Sequence, residues 1–289
     1  MGGWELSDLA IVILGIMGNL WDLLLFHPLV NALIFLARYT GNLGWSIIWL
    51  TVGLRLIMTP LVVPSLKSGK KMAELAPELE KLKTQYKDDK KGLVTAQADL
   101  YKKHGFNPAA GCLPQIVQIL VLIALFNAFN TVLKPNGADL VSKLNPLLYA
   151  GNQLQADFKL STHFYNLDLA KPDVIHFPNL PLPAPGIFLL LSGIVQFFSS
   201  KMMLPAVKKL EKQAEKTEEK TDDMMAATQQ QMLYMFPVMT IIFGYQFPSG
   251  LVLYWLVFSL VSSVQQYMVT GWGGLTPWLG RLGVVKSSA

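Results

Sequence analysis

Residues 44–64 read GWSIIWLTVGLRLIMTPLVVP, and this stretch decides the fold class of the chain. An α-helix needs about 20 predominantly apolar residues to cross the hydrocarbon core of a bilayer. These residues meet that length and carry a single charge, Arg55, close to the middle. The stretch therefore predicts a transmembrane helix with a cation at its centre.

Four further stretches are long and apolar enough to cross a bilayer: residues 109–133, 185–204, 224–247 and 250–270. Of all 289 residues, 52% are hydrophobic and 15% are charged, whereas a soluble domain carries about 25% charged residues. Pro248 and Gly250 predict a tight turn between the last two stretches. We therefore expect an all-α integral membrane protein with five transmembrane helices.

The segment before these helices, residues 1–43, has a mixed pattern. Within residues 20–39, Asp22, Asn31 and Arg38 interrupt an apolar sequence. The leucines fall roughly on one face of a helix, which is typical of an amphipathic helix that lies in the membrane interface. We therefore expect an interfacial helix here, and a sixth transmembrane helix is the alternative.

Residues 65–108, between the first two predicted spans, are polar and rich in lysine. Leu75, Leu79 and Leu82 are spaced by four and three residues, which indicates a helix that packs against a partner. The turn Lys87-Asp-Asp-Lys90 separates this helix from a second helical pattern. The segment is therefore predicted to be an antiparallel helical hairpin outside the membrane.

The distribution of lysine predicts the orientation of the chain. The hairpin carries ten lysines, residues 201–223 carry six, and the loop of residues 134–184 carries four. Cytoplasmic loops are enriched in Lys and Arg. We therefore expect the hairpin, the loop of residues 205–223 and the tail of residues 271–289 in the cytoplasm. The N-terminus and the loop of residues 134–184 are then outside.

Arg55 points most directly to a function. Arg at the centre of a transmembrane helix costs about 2.5–3.5 kcal/mol on insertion scales, so such residues face a wet or protein-lined cavity. No Asp or Glu occurs in the five predicted spans to pair with it. Polar and aromatic side chains on the same spans predict a groove whose only charge is positive: Thr51, Gln115, Gln118, Gln196, Tyr254 and Trp255.

The sequence contains no pattern typical of an enzyme, a cofactor site or a metal site. The predicted spans lack His and carboxylates, and Cys112 has no His or Asp near it in sequence. No phosphate-binding loop or glycine-rich nucleotide fingerprint occurs. We therefore expect a protein that is not an enzyme, works without nucleotide and has no dedicated domain for nucleic acid.

Several ordered motifs between residues 26 and 267 resemble the YidC family of membrane-protein insertases, in the Oxa superfamily. They are Gly53-Leu-Arg55-Leu-Ile-Met-Thr-Pro60, Tyr86-Lys-Asp-Asp-Lys90, Asn107-Pro-Ala-Ala-Gly-Cys-Leu-Pro114 and Phe247-Pro-Ser-Gly-Leu-Val-Leu-Tyr-Trp255. The chain is similar to a short form of the family, without the large external domain of some relatives.

The resemblance implies a five-helix core around a hydrophilic groove that is open to the cytoplasm and to lipid and closed outside. Arg55 would be its functional charge, with Gln196 and Trp255 also in the groove. The polar external segment of a substrate would pass through the groove, and apolar segments would leave into the bilayer. Implied partners are nascent membrane proteins and membrane lipids, with the ribosome and the Sec translocon as further candidates. The implied location is the bacterial plasma membrane.

A second class of function fits the same residues. Arg55 at midplane would also suit a small-anion transporter that binds its solute there. Transporters often consist of two halves with matching hydropathy, and we find no such repeat in the sequence. The transporter is therefore the alternative to the insertase.

Overall fold

A computed structural model describes residues 18–87, 89–105, 109–133, 138–178, 183–203, 234–235 and 237–284. These residues are mostly helical, as predicted. The first helical stretch, Gly18–Thr40, contains one π-helical turn, Asp22–Phe26, followed by helix α1, His27–Thr40. Its length and composition allow it to cross a membrane. The interfacial placement that we predicted for residues 20–39 therefore stays a prediction, with a sixth transmembrane helix as the alternative.

Helix α2, Leu43–Gln85, is longer than predicted. Asn42 caps its start, because its side-chain oxygen accepts a hydrogen bond from the amide of Gly44 at 2.8 Å. We expected the first span to end at Pro64, but the helix continues through this proline and two others. Each proline removes one backbone hydrogen bond, and helices in membranes tolerate this where neighbouring groups replace it. The first span and the first arm of the hairpin are therefore one continuous helix.

The second arm of the hairpin is helix α3, Lys90–Lys103. Leu75 and Leu79 of α2 are buried, in line with the spacing in the sequence. Glu78 of α2 lies 3.5 Å from Nε2 of His104, just beyond α3. The two arms are therefore in contact.

The later helices are α4 (Ala109–Leu133), α5 (Ala138–Leu144), α6 (Ile187–Met203), α7 (residues 237–244), α8 (Ser249–Thr270) and α9 (Thr276–Arg281). Among the described residues, four helices can cross a membrane by length and composition: Gly18–Thr40, Leu43–Lys71, Leu113–Leu133 and Ser249–Thr270. Helix α6 is apolar but shorter. Part of the predicted span of residues 224–247 lies outside the described residues. The count of five spans therefore stays a prediction.

The helices pack around an apolar core. Helix α8 contacts α2 and α6, and α1 contacts α2. Leu33 of α1, Ile47 of α2, Phe129 of α4 and Leu251 of α8 are almost completely buried. Because α8 lies between α2 and α6, its side chains can meet polar groups from both.

Residues 138–178 and 183–185 form a small layer at one end of the helices. Besides α5 it contains two 3₁₀ turns, Asn145–Leu147 and Ala150–Asn152. Strand β1 (His163–Phe164) pairs antiparallel with β2 (Leu167–Asp168), and β3 (Val174–Ile175) pairs antiparallel with β4 (Ala184–Pro185). These two-residue strands are the exception to the predicted all-α class.

This layer is hydrogen-bonded to α1 and α2. Nδ2 of Asn31 in α1 donates to the carbonyl oxygen of Leu147 at 2.9 Å. The amide of Leu43 at the start of α2 donates to the carbonyl oxygen of Ser161 at 3.1 Å. Both bonds join residues far apart in sequence, so the layer fixes the two helices at this end.

The layer also holds the starts of α6 and α8. Oδ2 of Asp173 accepts a hydrogen bond from the amide of Leu189 in α6 at 2.7 Å. The amide of Ser249 in α8 donates to the carbonyl oxygen of Lys171 at 2.7 Å. The layer thus joins four helices at the end of the bundle that we predict to be external.

Asp168 is a charged member of this layer. Its carboxylate lies 3.1 Å from Nζ of Lys171, and it also accepts bonds from the amide of Ala170 and the hydroxyl of Thr162. Burial opposes ionisation, but these bonds and the charge of Lys171 outweigh it and hold the pKa of Asp168 below its usual value.

Candidate functional site

Arg55 lies in the membrane part of α2 and is 7% exposed. Its Cζ is 3.9 Å from the centroid of the Phe258 ring on α8, which is the geometry of a cation–π contact. Within the part of the chain that the structure describes, Nε of Arg55 has no hydrogen-bond partner and the guanidinium forms no ion pair. The cation is therefore held against an aromatic face and keeps an unused donor.

Gln265 of α8 anchors the turn of α2 that carries Arg55. Its Nε2 donates to the hydroxyl of Thr59 at 2.8 Å and to the carbonyl oxygen of Arg55 at 3.2 Å. The Thr59 hydroxyl donates to the same carbonyl at 2.9 Å. These bonds fix the backbone of α2 against α8 at the level of the cation.

Tyr254 connects α8 to α4. Its hydroxyl accepts a hydrogen bond from Nε2 of Gln118 at 2.8 Å, and the residue is 2% exposed. Its ring lies 5.8 Å from the ring of Phe258, which in turn contacts Arg55. The predicted groove residues Arg55, Gln118 and Tyr254 therefore belong to one connected cluster.

Gln196 connects α6 to the same helix. The hydroxyl of Ser259 on α8 donates to Oε1 of Gln196 at 2.7 Å. Ser259 is buried at 2% exposure, while Gln196 is half-buried. Polar contacts from α2, α4 and α6 therefore all end on α8.

Three predicted groove residues are not joined to this cluster by a described polar contact. The hydroxyl of Thr51 donates to the carbonyl oxygen of Ile47 in its own helix at 2.6 Å. Gln115 has an exposed side chain. Trp255 packs its ring at 5.9 Å from the ring of Phe247, so its described contact is apolar.

The cluster is packed rather than open in this conformation. Arg55 and Tyr254 are both buried. Two cavities are lined by described residues elsewhere, one beside Asp22 and one beside Asn145, and neither reaches Arg55. The hydrophilic groove that we predicted therefore stays a prediction.

The chemistry available at the cluster is electrostatic. A buried guanidinium can attract an anion, and amide and hydroxyl groups can exchange hydrogen bonds with a polar chain. Among the described residues, no group of three His, Cys, Asp or Glu side chains is placed to hold a metal ion.

Sequence reasoning missed two members of the cluster, Gln265 and Phe258. A signal was present, since Tyr254, Phe258 and Gln265 recur at helical spacing along one span. The spacing alone did not show that this face meets Arg55. The partner of Ser259 was likewise not predictable, because it lies on another helix.

The chain matches known proteins along most of its length. A family model described as 60Kd inner membrane protein matches residues 35–273. The membrane protein insertase YidC of Fusobacterium nucleatum is 35% identical over 80% of this chain and 88% of its own length. The membrane protein insertase MisCA of Bacillus subtilis is 30% identical over 88% of this chain and 80% of its own length.

Other relatives are longer proteins. The membrane protein insertase YidC of Geobacter sulfurreducens is 32% identical over 86% of this chain, which spans 38% of that protein. A crystal structure of an active YidC insertase with its first transmembrane domain resolved aligns with a TM-score of 0.49 and 24% identity. The alignment covers 84% of this chain and 45% of that one.

Proposed function

Because this chain belongs to the YidC family of membrane-protein insertases, we propose that it inserts other proteins into the lipid bilayer. Its substrates are nascent membrane proteins whose polar external segments must cross the bilayer. Membrane lipids receive their apolar segments. The ribosome and the Sec translocon are candidate partners that deliver such substrates.

The observation that carries the proposal is the unpaired buried cation. Arg55 has no carboxylate partner among the described residues, and Nε keeps a free donor. A structural arginine inside a bundle is expected to be paired. An arginine left unpaired is instead available to an acidic residue of a transient guest.

The energies of charge burial and charge attraction support a role of Arg55 in holding an acidic residue of the substrate. An acidic residue at the centre of a membrane costs about 2.5–3.5 kcal/mol on insertion scales. A carboxylate at about 4 to 8 Å from a guanidinium gains roughly 2–4 kcal/mol at an effective dielectric constant near 20. The attraction is therefore large enough to offset the cost of holding an acidic residue part-way across.

Entry requires a change in the packed cluster. The substrate segment has to replace the contacts that α8 makes with α2, α4 and α6 around Arg55. Each such contact between helices in a membrane contributes roughly 0.6 kcal/mol, and up to about 1.7. A polar guest can therefore exchange hydrogen bonds with these groups at little net cost.

Release into lipid needs no nucleotide. Ile194 of α6 and Leu260 of α8 are 52% and 47% exposed, so both helices present apolar surface. An apolar substrate segment beside them gains about 25 cal/mol per Å² that it buries in lipid. The step is thus driven by partitioning.

We place the protein in the bacterial plasma membrane, with the hairpin in the cytoplasm and the N-terminus outside. The ten lysines of the hairpin support this orientation. Labelling of a Lys90→Cys variant by an impermeant thiol reagent tests it. Reaction from the cytoplasmic side alone is expected, and reaction from the outside alone would reverse the topology.

The function itself is tested in vesicles that contain only this protein. A short single-span substrate with an acidic external segment should insert after nucleotide is removed enzymatically, and empty vesicles should show little insertion. Arg55→Ala should lower the yield. Arg38→Ala is the matched control, because it removes an exposed arginine of the adjacent helix α1.

Two outcomes would count against the proposal. Equal insertion into empty and protein-containing vesicles would contradict the proposed insertase activity. Uptake of a small anion that depends on Arg55, without protein insertion, would instead favour the transporter.

A further inference from the structure

A cavity of about 340 Å³ lies between the start of the Gly18–Thr40 helix and the end of α4. Its lining contains polar side chains together with Trp21, and tryptophan is enriched where a membrane meets water. We therefore place the cavity at the level of the lipid headgroups, apart from the Arg55 cluster. Its lining consists of Trp21, Asp22, Phe26, Asn127, Asn130 and Thr131.

The π-helical turn Asp22–Phe26 builds one wall of this cavity. The amide of His27 donates to the carbonyl oxygen of Asp22, five residues earlier. In an α-helix, residues five apart diverge by about 140°. The wider π turn brings Trp21 and Phe26 towards one face. Such turns are rare and occur frequently at functional sites, so the turn is a second indication of a site here.

The lining offers acceptor oxygens. The exposed carboxylate of Asp22 forms no ion pair within the described residues. Nδ2 of Asn130 donates to the carbonyl oxygen of Phe126 at 2.9 Å, and the hydroxyl of Thr131 donates to that of Asn127 at 2.8 Å. The side-chain oxygens of Asn130 and Thr131 therefore remain as acceptors. A carboxylate and two such oxygens suit a cationic ligand with several N–H donors.

The surroundings of the cavity are apolar. Leu23 and Leu24 are each 65% exposed, and Leu20 is 49% exposed, on the same helix. On a helix that can cross a membrane, exposed leucines contact acyl chains. A ligand at this cavity is thus one that has acyl chains attached.

We propose that the cavity binds the primary ammonium headgroup of a phosphatidylethanolamine lipid. The carboxylate of Asp22 neutralises the ammonium charge, and Asn130 and Thr131 accept its remaining hydrogen bonds. The rings of Trp21 and Phe26 supply cation–π contact. Among the described residues, the lining of the cavity contains no Lys or Arg, so an anionic headgroup finds no counter-charge in this lining.

Native mass spectrometry of the purified protein tests this assignment. The protein is titrated with phosphatidylethanolamine, phosphatidylcholine and phosphatidylglycerol of the same acyl chains. Ethanolamine lipid should be retained about fivefold over the other two, since choline has no N–H donor and glycerol has no cation. Asp22→Asn should abolish this preference. Asp99→Asn, the same change on exposed α3, should leave it intact.

The outcomes separate the possible ligands. Equal retention of the three lipids by the wild type, or an unchanged preference in Asp22→Asn, would overturn the proposal. Displacement of the lipid by an equal concentration of free ethanolamine would assign the cavity to a soluble amine and would also overturn it. If Asp22→Asn does not fold, Asn130→Leu carries the same test, because it removes an acceptor while keeping a similar side-chain size.

Discussion

Replacing Asp173 by alanine should loosen the start of α6. Asp173 is 6% exposed, and its carboxylate accepts the bond from the amide of Leu189 at 2.7 Å. A hydrogen bond to a charged group contributes about 1.5–3 kcal/mol, and a negative charge at a helix N-terminus adds about 0.3–1 kcal/mol. We therefore expect Asp173→Ala to lower the free energy of unfolding by about 2–3 kcal/mol. Asp173→Asn keeps an acceptor and should lose about 1 kcal/mol.

The assay is unfolding by titration with sodium dodecyl sulfate from mild detergent, followed by circular dichroism. A double-mutant cycle with Gly186 tests the position of the Asp173 carboxylate, because a Cβ at Gly186 would overlap that carboxylate. Gly186→Ala should lower the free energy of unfolding by about 1–3 kcal/mol in the wild type. In the Asp173→Ala background it should have little effect. Gly151→Ala is the control, since no atom lies within 4 Å of its Cβ position. An equal cost of Gly186→Ala in both backgrounds would refute the reasoning.

Three further perturbations test other parts of the structure. Tyr254→Phe removes the acceptor of Gln118 and should cost about 0.6–1.7 kcal/mol in the same titration; no change would contradict the cross-helix bond. The pKa of Asp168 is lowered in the folded state. Its contribution to the free energy of unfolding is therefore complete above the pKa of the unfolded state, near 3.9, and is lost as the pH falls further. Asp168→Asn should flatten the acid side of the curve of stability against pH, and an unchanged acid side would count against that lowered pKa. In a background without the native cysteine, Gln115→Cys should react with an impermeant thiol reagent faster than Thr51→Cys, which occupies a position that is 2% exposed; equal rates would show that the packing around Thr51 is more open.

Much of the helical architecture follows from the sequence, because a bilayer requires about 20 apolar residues per helix. This rule located the membrane parts of α2, α4 and α8. It did not show that the helix continues past Pro64, because hydropathy does not give the end of a helix and prolines are tolerated inside helices of membrane proteins. It also missed the π turn at Asp22–Phe26, because no hydropathy pattern distinguishes a π turn from an α-helical one.

The composition of the candidate site was predictable only in part. Arg55 stood out, since it is the charge at the centre of the first predicted span and no carboxylate occurs in the predicted spans to pair with it. Its surroundings did not, because Gln265 and Thr59 are 206 residues apart and meet only through packing of α8 on α2. Periodicity gives the face of a helix, whereas the partner of that face depends on the arrangement of all helices.

In our proposal the charge of Arg55 acts on acidic residues of the substrate. The most direct test changes the charge of the substrate and the residue at position 55 in the same experiment. Two single-span substrates that differ only by Asp or Asn in the external segment are inserted into vesicles with wild type, Arg55→Lys or Arg55→Ala. We predict that Arg55→Ala lowers insertion of the Asp substrate about tenfold or more and leaves the Asn substrate nearly unchanged. Arg55→Lys should keep most of the activity. An equal loss for both substrates, or no loss for either, would contradict a role for this charge in recognising the substrate.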